Sequence, residues 1–405
     1  MRTSGIRPSR AGNVASAALS MLLVGIASVP AHAESIRSQQ WHLDTLHAEE
    51  IWQISTGEGI TVAVIDSGVD KNNPDLVGRV LDGKDLAPGE SGDEHDDFDG
   101  HGTGMAGLIA GTGKARGGDG AFGLAPGAKI LPVRLPDPDP DRSAQAADEE
   151  FNKLASEAIR FAADSGARVI SISQGAQEGS GQLTGAVKYA LDKGALVFAS
   201  VGNSADSDNV VEYPGATPGV VGVGAIDRKL TRLKNSQYGP QVDLVAPGKD
   251  TVHACGGGTG LCKSTGTSDA TALASAAAAL VWAEHPDWTN NQVLRVLLNT
   301  VAAPNDGGGR NDYIGYGAIR PLRALKTPGD PGPAGVRPLP DLPAAQTASA
   351  SPPTAPSATG PASAAPQADD ATGGSGSGLW IGLGIGAAVL LGAAVAVPVL
   401  RSRRG

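Results

Sequence analysis

Aromatic residues are scarce, 4% of 405 positions, and the chain holds only two cysteines. Two cysteines exclude a disulfide-dense scaffold, and the spacing of Cys255 and Cys262, without further ligands, is too sparse for a structural zinc site. Positive charge is also short, at a formal net charge of −10. Six arginines (Arg2, Arg7, Arg10, Arg401, Arg403, Arg404) lie in the two ends, which carry no acid, so residues 34–378 stand at −16. So acidic a body excludes a life spent gripping nucleic-acid phosphates. Aromatics are absent from 328–378, where 11 prolines fall, and charge is absent from Leu379 to Leu400. The low aromatic content therefore reflects that linker in part, and not only a thin core.

What is present at the ends fixes a compartment. An arginine-bearing start, a small-apolar run from Val14 to Val29 and Ala31-His32-Ala33 form the layout of a signal peptide over 1–33, cleaved after Ala33. No twin-arginine pair occurs within 1–33, which favours the general secretory route. Residues 379–400 would make about 33 Å of helix, enough for one transmembrane helix through a hydrocarbon core of about 30 Å. The basic tail at 401–405 should then stay cytoplasmic. Residues 328–378, rich in Pro, Ala and Ser, read as a disordered tether. The expected protein is a single-pass membrane protein with residues 34–327 outside the cytoplasm as one α/β domain. In that compartment Cys255 and Cys262 are expected to form a disulfide.

Within 34–327, continuous apolar runs at 60–65, 168–173, 195–199 and 220–225 alternate with helical spacing at 148–164 and 183–193. Runs apolar on both faces imply a parallel sheet covered on both sides, with ligands at the strands' carboxyl ends. Asp66 and Asn203 fall just past two such ends. His101 opens an apolar helix among glycines, and Ser268 opens an alanine-rich one. A serine hydroxyl needs a base, histidine titrates near working pH, and a buried aspartate fixes the imidazole. The order Asp66, His101, Ser268 on an α/β chain therefore points to a hydrolytic triad.

On the motifs VIDSGV (64–69), DGHGTGMAGLIAG (99–111) and GTSDATALASA (266–276), the sequence resembles the subtilisin-like (S8) serine peptidases over roughly 41–325. SVGN (200–203), YPGATPGVVGVGAID (213–227) and DLVAPG (243–248) are weaker matches. The resemblance implies a three-layer sandwich with a mainly parallel sheet and Asp66, His101 and Ser268 as the catalytic triad. It makes Asn203 the side-chain donor to the oxyanion, beside the Ser268 backbone N–H. Ser173, Gln174 and Gly175 would pair with substrate backbone. Signal peptide, Pro-rich tether, single span and basic tail together resemble the mycosins, proteases of type VII secretion. That resemblance implies protein substrates in the pathway and its membrane complex as partner. It also implies an N-terminal segment, beginning at Gln40-Trp41-His42-Leu43-Asp44, that packs on the domain without blocking it.

Three positions depart from the family pattern. Ala272 stands where proline is usual, Gln174 where an apolar residue is usual, and Asp269 where the residue after the nucleophile is neutral. Asp269 suits the helix dipole, yet could weaken the oxyanion site or attract a basic substrate. Asp93, Glu94, Asp96, Asp97 and Asp99 read as a solvated acidic rim, with calcium or a basic partner as alternatives. His95 among them reads as a loop residue, and 136–141, alternating Pro and Asp, as an exposed loop. No metal or cofactor is expected for the chemistry. The rivals to an active peptidase of secretion are a mainly structural subunit bracing the membrane complex and a general cell-surface peptidase.

Overall fold

Alternate side chains of the central strands feed two separate cores, and this fixes the layers. In β1 (Thr61–Asp66), Val62 and Val64 face one core while Ala63 and Ile65 face the other. The same split recurs in β5 (Leu196–Ser200), with Leu196 and Phe198 against Val197 and Ala199. A strand apolar on both sides has no face for water, so helices must cover both faces of the sheet. The computed structural model, which describes residues 34–87, 89–256 and 260–342, shows that arrangement.

Seven strands, all parallel, lie in the order β2-β3-β1-β4-β5-β6-β7. The others are β2 (Lys84–Asp85), β3 (Lys129–Arg134), β4 (Val169–Ile172), β6 (Val221–Ile226) and β7 (Leu244–Pro247). An antiparallel hairpin, β8 (Thr251–Ala254) with β9 (Leu261–Ser264), stands apart from the sheet and leads to the nucleophile motif. Helices Ala144–Asp164 and Gly181–Asp192 cover one face through Ile159, Leu183 and Val187. Helices His101–Ala110, Thr267–Glu284 and Asn290–Thr300 cover the other. Thr267–Glu284 is buried along nearly its whole length, as a helix apolar all round must be. Ala272 lies fully buried in its second turn.

The N-terminal segment docks on the domain through the residues that the resemblance singled out. Gln40 donates to the carbonyls of Phe122 and Val252 at 2.7 and 2.9 Å, and accepts from the Phe122 N–H at 3.1 Å. Trp41 donates to the Lys249 carbonyl at 2.8 Å, and His42 and Leu43 are fully buried.

The folded domain runs past 327, which corrects the linker boundary expected from composition. Residues 328–342 cross the Asn290–Thr300 helix and tie its far side to the rest. Arg295 donates to the Pro331 carbonyl at 2.6 Å and Gln292 to that of Gly332 at 3.0 Å. Leu339 is buried, Arg337 holds Asp341 through two 2.8 Å contacts, and Asp341 accepts from the Gly219 N–H. Proline has no N–H to satisfy, so a Pro-rich strap docks well where side chains supply donors to its carbonyls. The rest of the expected linker (343–378), the signal peptide, the span 379–400 and the tail 401–405 lie outside the described residues. Among the described residues no helix is long and apolar enough to cross a membrane.

Close to this strap, Asp243 has its carboxyl pushed up to about 7 by burial, against a hydrogen bond from the Gly222 N–H and with further help from Asp341. A carboxyl raised in the folded state binds its proton more tightly there, so stability falls as pH rises from about 4 to 7. Asp243→Asn should therefore stabilise the protein at pH 8 by up to about 4 kcal/mol. The gain should vanish below the ordinary carboxyl range, as urea unfolding at the two pH values will show.

Candidate functional site

Three carboxyl-terminal strand ends and two helix starts meet at one cleft. Asp66, the last residue of β1, is 1% exposed, and its Oδ1 lies 2.7 Å from His101 Nδ1. That oxygen also accepts from the Ser67 N–H at 2.9 Å, while Oδ2 is buried without a partner. The carboxylate is thus aimed at the imidazole and fixes Nδ1 as the protonated nitrogen, leaving Nε2 as the base. The helix carrying His101 comes this close only because Gly102 has no side chain. A Cβ there would stand 2.1 Å from the Gly68 carbonyl oxygen and 3.1 Å from the Asp66 Cβ.

Asp97 sets the angle of that helix. Its two oxygens accept from the N–H groups of Gly100 (2.8 Å) and Thr103 (2.7 Å), and from the Ser67 hydroxyl (2.8 Å). A carboxylate taking N–H groups at a helix start satisfies donors that the helix itself cannot. The acidic run is therefore partly structural and not only a solvated rim. Glu94 accepts from the Gly83 N–H and Asp93 from that of His95. His95 is buried, and its Nε2 lies 3.5 and 3.6 Å from Asp82 and Glu94. Those three side chains cluster their ligand atoms, but an imidazole is not one of the oxygen ligands that calcium prefers.

The His101 imidazole is pushed up to about 9, first by the Asp66 charge, against the opposing effect of burial. The hydrogen bond to Asp66 and the charges of Asp269 and Asp99 add smaller upward effects.

Ser268 is the second residue of the Thr267–Glu284 helix, so its backbone N–H points out of a positive helix end. Its hydroxyl donates to the Ser173 carbonyl at 3.4 Å. Asn203, just past β5, accepts the Thr267 N–H on Oδ1 at 3.0 Å. That bond orients the amide beside the nucleophile and leaves Nδ2 as the end able to donate. Ser173, Gln174 and Gly175 continue from β4 without pairing in the sheet. Together with His101, Leu135 and Phe151 they line a cavity of about 540 Å³. The structure thus places His101, Ser173, Gln174 and Gly175 on one cavity, with Asp66 against His101, Ser268 against the Ser173 carbonyl and Asn203 against the Thr267 N–H.

Two features escaped the sequence reading. The exposed loop of alternating Pro and Asp forms a wall of the cavity, through Pro136 to Asp139. Glu212, its carboxyl raised by burial, lies against Gly175 and Gly202. Neither was marked by its sequence as part of the cleft: the loop follows β3 directly, and Glu212 reaches the site through Gly175 and Gly202. Cys255 and Cys262 form a disulfide, with Cα atoms 5.7 Å apart.

With this geometry in hand, known proteins can be compared. The model of the subtilase family matches residues 57–317. Thermitase of Thermoactinomyces vulgaris is 30% identical over 289 residues, 71% of this chain and 96% of thermitase. The structure of MycP3 protease from the type VII (ESX-3) secretion system aligns with TM-score 0.62 at 32% identity, covering 71% of this chain and 88% of that one. A chain of the periplasmic assembly from the ESX-5 inner membrane complex aligns with TM-score 0.64 at 28% identity, covering 78% and 90%.

Proposed function

The chain belongs to the subtilase family of serine peptidases, and from that premise we propose that it is a membrane-anchored, extracytoplasmic endopeptidase acting on proteins of a type VII secretion pathway. The observation that carries the chemistry is the 2.7 Å Asp66–His101 contact, which holds the imidazole in the tautomer that a serine nucleophile needs. His101 Nε2 takes the proton of Ser268 as the hydroxyl attacks the scissile carbonyl. Asp66 stabilises the imidazolium that forms, and the leaving amine takes the proton from Nε2. The acyl-enzyme is then hydrolysed by water activated at the same nitrogen. Asn203 Nδ2 and the Ser268 N–H donate to the oxyanion. Substrate backbone lies along Ser173, Gln174 and Gly175. Asn203→Ala should cost about 10²–10³ in kcat with little change in KM, the magnitude known for subtilisins. Steady-state kinetics on a peptide substrate reads this directly.

The secretion role rests on likeness to MycP3 and to the ESX-5 assembly chain. The second of these also favours a bracing role within a membrane complex, so the two readings need a common experiment. In the producing cell, Ser268→Ala should leave any such complex intact and abolish substrate processing. A complex that falls apart on deletion of the protein but survives Ser268→Ala, with processing unchanged, would leave bracing as the function and remove the peptidase role in secretion.

A further inference from the structure

Behind the nucleophile lies a set of buried polar groups that the triad does not use. Asp269 follows Ser268, is 1% exposed, and turns away from the cleft toward the β8–β9 hairpin. Its Oδ1 lies 2.6 Å from Ser264 Oγ, and Ser264 Oγ lies 2.8 Å from Nε2 of the buried His253. His253 Nδ1 lies 2.7 Å from the Ala254 carbonyl oxygen. The His253 ring packs on the helix of His101, where a Cβ on Gly104 would come within 2.7 Å of its Cε1.

Counting protons constrains this chain of contacts. A carbonyl only accepts, so His253 Nδ1 carries hydrogen. Ser264 owns one hydroxyl proton but faces two close neighbours, Nε2 and Oδ1. It can donate to only one, so the other must donate to it. One further proton therefore resides either on His253, as an imidazolium facing a carboxylate, or on Asp269, as a neutral acid facing a neutral imidazole. Thr251, whose hydroxyl is 3.3 Å from Ser264 Oγ, brings its own proton to this longer contact and leaves the count between the two close neighbours unchanged.

Resting on the serine peptidase reading, we propose that Asp269, Ser264 and His253 form a proton-sharing unit in which Asp269 is the neutral acid, donating to Ser264 as Ser264 donates to His253 Nε2. Two independent features select this form. Asp269 Oδ2 is buried without a hydrogen-bond partner, and, unlike Asp66, whose Oδ1 takes a backbone N–H and faces an imidazole directly, Asp269 has a hydroxyl oxygen at its Oδ1, so ionisation is costlier here than for a neutral carbonyl. Burial is also the leading influence on both groups, raising Asp269 and lowering His253, so both tend toward neutrality. His253, hydrogen bonds with Ser264 and Thr251, and His101 each pull Asp269 back toward ionisation, but burial outweighs them. His101 faces it from the catalytic helix, with Asp66 beyond. From the N-terminal segment, His42 is pushed down to about 3 by burial, then by His253 and Arg37, so it stays neutral.

The consequence is local to catalysis. A carboxylate one residue from the nucleophile would oppose the oxyanion and hold His101 protonated. As a neutral acid, Asp269 does neither, and its share in raising His101 falls away. Asp269 thus stays outside the reacting groups, and the departure from the family pattern costs the oxyanion site little.

Asp269→Asn tests this, because asparagine reproduces the neutral acid's donor to Ser264. In the full chain, the difference infrared spectrum between wild type and Asp269→Asn should contain the C=O stretch of a protonated carboxyl group at neutral pH. A carboxylate band in its place would overturn the proposal, whatever the enzyme's activity. Asp269→Asn should keep kcat/KM within about threefold and leave its acid limb unmoved within about 0.3 pH units. A limb displaced downward by about one unit would mean that an ionised Asp269 had been raising His101, and would also overturn it. ¹⁵N-histidine NMR gives a third reading: His253 Nε2 should show the shift of an unprotonated ring nitrogen, and an imidazolium shift refutes the assignment. A wild type without peptidase activity would refute the reading of function, and leave both spectroscopic outcomes interpretable.

Discussion

Ser268→Ala should lower kcat by about 10⁶ while leaving the fold and its unfolding midpoint nearly unchanged. The size follows from what the hydroxyl does, since it is the atom that forms the acyl bond. Replacing it also removes the purpose of His101 as base, so a second substitution at His101 should add almost nothing. Stability is spared because Ser268 is only half-buried, and its hydroxyl makes a single long contact, 3.4 Å, to Ser173. A bracing subunit without catalytic use of Ser268 predicts the opposite pattern, with no kinetic effect at all. Kinetics on the wild type, Ser268→Ala and the double variant, alongside thermal unfolding, separates the two.

Asp66→Asn is expected to cost about 10⁴ in kcat, through the imidazole and not through substrate binding. Asparagine can present its N–H to Nδ1, which then keeps its lone pair and leaves the proton on Nε2, where the base is needed. The charge that stabilises the imidazolium is lost as well. The pH dependence has a definite sign. Asp66 is the leading cause that raises His101 to about 9, so without it the imidazole returns toward its ordinary value. The acid limb of the residual activity should therefore move to lower pH. Because the raised value belongs to the folded state, the His101–Asp66 pair stabilises the protein fully below about 6.5 and loses that contribution as pH rises through about 9. Asp66→Asn should thus destabilise more at pH 6 than at pH 10. An unmoved limb would mean that the 2.7 Å contact does not control the base.

The triad positions were legible because each sits where local backbone rules place it, at a strand end or a helix start. The sheet was legible where strands are continuous and apolar, as in β1, β4, β5 and β6. β3 was not, because Pro132 interrupts Lys129–Arg134. Proline usually argues against an interior strand, yet this one pairs with β1 on one side and the two-residue β2 on the other. The strap at 328–342 was hidden for a related reason. Its composition signals disorder, and the donors that hold it, on Arg295 and Gln292, lie in another element. Asp97 shows the same limit at the site. In sequence it is one acid among five; in space it alone takes both the Gly100 and Thr103 N–H groups. Asp269 was visible as a departure, but its partners Ser264 and His253 become neighbours only through the hairpin. Composition describes a segment by itself, while these residues are defined by what meets them.

The central claim is that Ser268 is an activated nucleophile, and one measurement bears on it most directly. The full chain in its membrane fraction is treated with a fluorophosphonate, and the labelled peptide is mapped by mass spectrometry. The account predicts a single phosphonylated residue, Ser268, with labelling that strengthens as pH rises through the titration of His101 and is absent from Ser268→Ala. A wild-type protein that is folded yet takes no label at any pH would contradict it.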